Sequence, residues 1–362
     1  MPLRNQLRRS RHRRHHPALA ADEVAYVVQQ FGSSLFGIEI GNEPDLYGDA
    51  GNFFAGNWSL PQFLTLWGQF RAAILAITPG VPITGPADAI YEAKWTVPFG
   101  QTVTKSQITM LTQHYYRANG QLPTSNEAFL ITPDPNLIAN FAILQAGVVS
   151  IGVPYRMTEC NSFYNGGSNG VSDSYASSLW VIDYLFNCVQ GGASGVNFHG
   201  GGNGPGYTPI ANKAATVTEA RPEFYGILLF TLAGQGILYT TQISAGSLNV
   251  TAYAVKTASG ALNLIIVNKD LTQNLQLTTQ LPGGASSATL LAMTQLTSGS
   301  RAPDLSATSG VTIPGASVNP DGTFSPAAAY TLEPSGSQVT CYVPALSAVL
   351  VQIVLEWNSE FQ

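Results

Sequence analysis

The chain is poor in charge, poor in cysteine and free of long apolar runs, and each shortage removes a class of function. Only 10% of its 362 residues are Asp, Glu, Lys or Arg while 45% are apolar, so most of the sequence must fill sizeable interiors. No apolar stretch reaches the ~20 residues of a bilayer span, which argues against a membrane partner. Three cysteines, Cys160, Cys188 and Cys341, are too few and too scattered for a disulfide framework, with at most one bridge among them. The five histidines and these cysteines make no zinc spacing, and the phosphate loop Gly-x-x-x-x-Gly-Lys-Ser/Thr is absent. Neither a metal nor any other cofactor is therefore expected.

What charge there is sits unevenly. Residues 1–17 hold Arg4, Arg8, Arg9, Arg11, Arg13 and Arg14 together with His12, His15 and His16, and no carboxylate. Without these six arginines the formal charge of −5 becomes −11. Such an arm could serve a nucleic acid, an anionic surface or a transit peptide. An acidic body without a basic patch gives it no support, so residues 1–20 are read as a disordered leader and no nucleic acid is expected as a partner. No apolar core of a secretory signal follows the arginines. Two sequons, Asn57-Trp58-Ser59 and Asn249-Val250-Thr251, matter only if the chain enters a secretory pathway.

From about residue 21 to 234 short apolar strands alternate with amphipathic helices. Strands are expected at 35–41, 81–85, 108–115, 155–159 and 195–199. Residues 21–30 read as the end of a helix, and further helices are expected after Ser59, over 137–149 and 172–189, and over 222–232. Ser59 with Gln62 reads as a capping box, and Phe63, Leu66, Trp67, Phe70, Ile74 and Ile77 follow at helical spacing. Strand and helix recurring about every 40 residues indicate a parallel α/β fold, either a (β/α)8 TIM-type barrel or an open doubly wound sheet. Residues 235–362 change texture. Strand-like 247–257, 261–268 and 348–355 alternate with Gly, Ser, Thr and Pro, as in an antiparallel β-sandwich.

Two glutamates favour the barrel. Glu43 follows the first strand in Gly41-Asn42-Glu43-Pro44-Asp45, and Glu159 closes the fourth in Met157-Thr158-Glu159-Cys160-Asn161. Both then lie on one rim, where a proton donor and an attacking carboxylate about 5–5.5 Å apart would cleave a glycosidic bond with retention. A side-chain amide such as Asn42 next to an acid suits a sugar 2-hydroxyl, and a tyrosine hydroxyl from His114-Tyr115-Tyr116 could hold an attacking carboxylate ionised. Tyr164 follows Glu159, and Tyr207 projects from the glycine run 200–206, where a backbone can approach a ligand closely. Taken singly, Asn-Glu-Pro is also a simple turn, and each tyrosine is also a packed loop anchor.

Four motifs in this order, Gly41-Asn-Glu-Pro-Asp45, His114-Tyr-Tyr116, Met157-Thr-Glu-Cys-Asn-Ser162 and Arg221-Pro-Glu-Phe-Tyr-Gly226, resemble glycoside hydrolase family 79 over residues 21 to about 355. This family, in clan A, contains β-glucuronidases and the heparanase relatives. The resemblance implies that Glu43 is the acid/base and Glu159 the nucleophile. It also implies that Tyr164, Asn165, Gly166 and Tyr207 embrace a glucuronic acid carboxylate, with Asn42 and Tyr115 near the 2-hydroxyl and the nucleophile. The implied partner is a glycan bearing β-linked glucuronic or 4-O-methylglucuronic acid, and the implied location is extracellular.

The chain departs from the family in one respect. Five strands are legible where the barrel has eight, so the expectation is an N-terminally truncated barrel, explained by a misplaced gene start, whose open edges make the chain aggregate or lose activity. Two rival expectations follow: an inactive remnant that binds carbohydrate without turnover, or another clan A retaining enzyme such as a xylosidase.

Overall fold

The computed structural model describes residues 16–49, 52, 54, 56–295 and 303–356. It divides into two compact units. The first comprises Met1–Tyr115, Ala139–Glu159 and Gly192–Asn197; the second comprises Tyr116–Ile138, Cys160–Gly191 and Phe198–Gln362. The basic leader lies outside the described residues as far as residue 15, whereas residues 17–20 open a helix, α1 (Pro17–Phe31).

A five-stranded sheet carries the alternating part of the chain. Its strands are β1 (Ile38–Glu39), β2 (Ile83–Asp88), β3 (Met110–Asn119), β4 (Tyr155–Tyr164) and β5 (Val196–Phe198), in that spatial order. β1 pairs with β2 and β2 with β3 in parallel. The ladder continues through Leu111 N–H to Pro154 O and Met157 N–H to Gly195 O. All five expected strands are present, with different bounds. β1 shrinks to two residues because Gly41 at φ +107° turns the chain out of the extended region. β3 and β4 run further, closed by the bond from Gly120 N–H to Tyr164 O.

Helices fill the intervals. α2 (Leu60–Ile77) buries Phe63, Trp67 and Ile74 along one stripe. Trp67 meets Phe99 of α3 (Val97–Val103) edge to face at 5.2 Å. The capping box at Ser59 takes a different form. Its hydroxyl donates to the Gln62 side chain at 2.8 Å, and no side-chain cap reaches the backbone. After the short α4 (Glu127–Leu130) come α5 (Pro135–Ile151), α6 (Tyr175–Gln190) and α7 (Pro222–Leu232). α6 and α7 approach so closely that a Cβ on Gly226 would fall 2.2 Å from Ser178 O, so only glycine fits there.

The hairpin β6 (Ile210–Lys213) and β7 (Thr216–Ala220) precedes α7. Beyond it, strands β8 (Gly236–Tyr239), β9 (Val250–Thr257), β10 (Leu262–Asn268), β12 (Ala285–Gln295), β13 (Val311–Thr312), β14 (Tyr330–Leu332) and β16 (Ser347–Leu355) form one seven-stranded antiparallel sheet. A separate antiparallel ribbon joins β11 (Leu275–Gln280) to β15 (Gln338–Val343). Alternate ribbon residues, Leu275 and Leu277 with Val339, Cys341 and Val343, share one apolar core with Leu264, Ile266, Val349 and Val351 of the large sheet. Where α6 meets this sheet, Lys269 and the hydroxyls of Thr251 and Tyr253 converge on the Asp183 carboxylate. The three cysteines are all buried thiols, so the one bridge allowed by the sequence is not formed. The Asn249 sequon amide is engaged by the Ile131 carbonyl at 3.0 Å.

Candidate active site

Beyond β1 the chain turns sharply. Glu43 adopts φ 51°, ψ 51°, the left-handed region that costs a non-glycine residue on the order of 1–3 kcal/mol unless its surroundings hold it there. Three bonds do so. The Glu43 N–H donates to Ala87 O at 2.9 Å, the Asp45 carboxylate accepts the N–H groups of Ala89 and Ile90, and Trp58 Nε1–H donates to Pro44 O at 2.6 Å. Asn42 is exposed, and its backbone N–H donates to the Tyr47 hydroxyl.

Glu159 sits inside β4 and not at its end, because the strand continues to Tyr164. Glu43 and Glu159 keep side-chain exposures of 29% and 25%, open enough to meet a ligand, while His114 beside them is 2% exposed. His114 Nδ1 is 3.2 Å from Glu43 Oε1 and 3.9 Å from Glu159 Oε2, and these three atoms all lie within 4.8 Å of one another. That spacing is close to the retaining separation of about 5–5.5 Å and well short of the roughly 6.5–9.5 Å of inverting pairs. One imidazole nitrogen and two carboxylate oxygens are also a donor set that a divalent cation accepts. Tyr115 is buried and follows His114 along β3. His114, to which the sequence reading gave no role, meets both carboxylates.

Behind Glu43 lies more buried acid. Burial pushes Asp88 well above the usual carboxylate range, raises Asp45, and lifts Glu92 to about 7. Asp88 is fully enclosed, with the Thr96 hydroxyl 3.0 Å from Oδ2 and Gln113 Nε2–H donating to its backbone carbonyl at 2.8 Å. Thr96 Oγ1 also touches Gln113 Oε1 and has only one proton to give. A protonated Asp88 donating to Thr96 satisfies both contacts.

The remaining expected residues, Tyr164, Asn165, Gly166 and Tyr207, belong to the second unit, whereas Asn42, Glu43, Tyr115 and Glu159 belong to the first. Tyr164 is 45% exposed at the end of β4. Asn165 stands at φ 66°, with its amide donating to Asn119 Oδ1 at 3.1 Å. The loops after β4 and β5 touch backbone to backbone: a Cβ on Gly206 would lie 2.1 Å from Gly166 O. This brings Asn165-Gly166 beside Tyr207. Tyr207 itself is 9% exposed, its ring 5.8 Å from Tyr116 and 5.3 Å from His199, so it packs into its loop where the sequence reading had it projecting.

Sequence reasoning left two polar residues of this region unassigned. Asn161 Nδ2 donates to His199 O at 3.0 Å, with Tyr207 O and Glu223 Oε2 both at 3.4 Å. Glu223 is almost wholly enclosed, and burial pushes it up to about 8. Both residues stand in the quoted motifs. Arg156, three residues before Glu159 on β4, donates to Asn197 Oδ1 at 2.9 Å and lies over the Phe36 ring.

No family model matches the chain. Over 221 residues it is 23% identical to a protein of Aspergillus niger named β-glucuronidase, covering 54% of this chain and 40% of that protein. A Neurospora crassa protein of the same name is 24% identical over 225 residues, covering 54% and 39% respectively. The chain thus spans about two fifths of the length of these relatives. Among solved structures, a 4-O-α-L-rhamnosyl-β-D-glucuronidase from Fusarium oxysporum superposes with a TM-score of 0.71 at 20% identity, covering 92% of this chain and 73% of the other. This chain is related in sequence to fungal proteins named β-glucuronidase, and over nine tenths of its length it has the fold of a glycoside hydrolase.

Proposed function

We propose that this chain carries the catalytic carboxylates of a retaining glycoside hydrolase that releases β-linked glucuronic or 4-O-methylglucuronic acid from glycans outside the cell. The observation that carries this reading is the convergence of Glu43 and Glu159 on His114 Nδ1, with all three atoms within 4.8 Å. Glu43 protonates the glycosidic oxygen as the bond breaks, and Glu159 attacks the anomeric carbon to form a glycosyl ester. Glu43, now a carboxylate, then takes a proton from the water that hydrolyses the ester. Asn42 stands beside the acid for the 2-hydroxyl, and the family resemblance is what assigns Tyr164, Asn165, Gly166 and Tyr207 to the uronic carboxylate. The names of the relatives and of the superposed enzyme support that substrate class. In this reading the five parallel strands are part of a (β/α)8 barrel, and the large antiparallel sheet with its ribbon is a β-sandwich.

Hydrolysis of an aryl β-glucuronide with retained configuration by the full chain tests the reading. Glu159→Ala should abolish turnover, and added azide should restore part of it with inverted product. Turnover of an aryl xyloside in preference to the glucuronide, or restoration with retained configuration, would overturn the substrate or the assignment of Glu159.

A further inference from the structure

We infer that Asp45 is a positioning residue that holds the acid/base Glu43 in its donating geometry by clamping the turn at the end of β2. The inference rests on the proposed role of Glu43, and it follows from how two turns are tied together. The Asp45 carboxylate is buried and spends one oxygen on each of two successive backbone donors, Ala89 N–H to Oδ1 at 2.9 Å and Ile90 N–H to Oδ2 at 3.0 Å. That turn begins with Ala87, whose carbonyl accepts the Glu43 N–H at 2.9 Å. The bonds close a ring: Glu43 to Ala87, along the chain to Ala89 and Ile90, across to Asp45, and back along the chain to Glu43.

Both residues joined by the first bond are strained. Glu43 holds φ 51° and Ala87 φ 63°, a conformation neither side chain favours. Each would relax to negative φ if released, and a rotation at Glu43 swings its carboxylate away from His114 Nδ1. The turn is anchored on its far side too, since Ala87 N–H donates to Thr112 Oγ1 at 2.9 Å and Asp88 is enclosed against Thr96 and Gln113. Asp45 is the link that couples this anchored turn to the segment bearing Glu43. A carboxylate suits the task because both of its oxygens accept; an amide offers only one acceptor.

Residue-resolved amide hydrogen exchange on the full chain tests the clamp without any need for turnover. In Asp45→Ala the Glu43 amide should exchange at least about tenfold faster, while the Leu111 amide, bonded to Pro154 O in the parallel sheet, stays unchanged. Asp45→Asn, which keeps one acceptor, should fall between the two and provides the answer if the alanine variant does not fold. In kinetics, kcat/KM for a glucuronide with a poor leaving group should drop about tenfold more than for an activated aryl one, because only the former needs the acid. Unchanged exchange at Glu43, asparagine behaving like the parent, or equal losses for both leaving groups would overturn the inference. A parent that turns over no glucuronide would remove the functional reading, and the exchange comparison would still decide the clamp.

Discussion

His114 Nδ1 lies 3.2 Å from Glu43 and 3.9 Å from Glu159, so a single ring edge on β3 meets one carboxylate from the turn beyond β1 and one from β4. The ring is enclosed, and Nδ1 donates or accepts according to its tautomer. Replacing His114 by Ala leaves the carboxyl without this partner, at a cost of about 1–3 kcal/mol. The expected result is a loss of roughly 10–100-fold in kcat/KM on an aryl glucuronide. Asparagine, which places an N–H near the position of Nδ1, should recover part of it. Full activity in the alanine variant would remove His114 from the site.

Tyr164 and Tyr207 separate by exposure, 45% against 9%. Tyr164→Phe should lower kcat/KM for a glucuronide by about 1–3 kcal/mol if a buried acceptor loses its donor, with little change in melting temperature. A glucoside, which lacks the carboxylate, should be hardly affected. Tyr207→Ala should cost stability as well, because its ring packs against Tyr116 and His199. Parallel losses on glucuronide and glucoside for Tyr164→Phe would assign that tyrosine to folding.

Glu223 gives a prediction in pH. Its folded carboxyl holds its proton up to about 8, against an ordinary value of 4.5, because burial disfavours the anion. The unfolded chain gives that proton up above about 4.5, so folded stability should fall as pH rises from there towards 8. Glu223→Gln carries no such dependence. Its stability relative to the parent, followed as the difference in melting temperature, should therefore climb between pH 5 and pH 8, by up to about 1.4 kcal/mol for each tenfold fall in proton concentration. Any packing cost of the amide is constant across that range. A gap that does not change with pH would show that Glu223 is ionised in place.

The sequence revealed the parallel strands by their alternation with helical segments. β2 is buried throughout and β3 over its first six residues, although both carry polar side chains such as Thr84, Asp88, Thr112 and Gln113. The hairpin of Ile210–Lys213 and Thr216–Ala220 is short, polar and largely exposed, so no periodicity marks it. α7 was legible to the residue because Pro222 opens it and Gly234 follows its end. α3 carries Pro98 just inside its start, and in sequence that proline reads as a break. At the site, both glutamates stood out by their place after apolar strands. His114 did not, because a histidine inside a strand carries no mark of the carboxylates that the fold brings to it. Asp45 was in plain view, yet its partners Ala89 and Ile90 are backbone groups that no motif can display.

The placement of the cysteines turns the chain into its own reporter of partial opening. Cys160, Cys188 and Cys341 all fall in the second unit and all are buried thiols, while the first unit contains no cysteine. Burial pushes Cys188 up to about 12 and Cys341 up to about 11, so neither presents a thiolate while its surroundings stay closed. A thiol reagent at neutral pH therefore sees the second unit only when it opens, and tryptophan fluorescence follows the first through Trp58, Trp67 and Trp95 once Trp180 and Trp357 of the second unit are replaced by phenylalanine. Comparing the two signals along a denaturant series would show whether the units melt together or in turn.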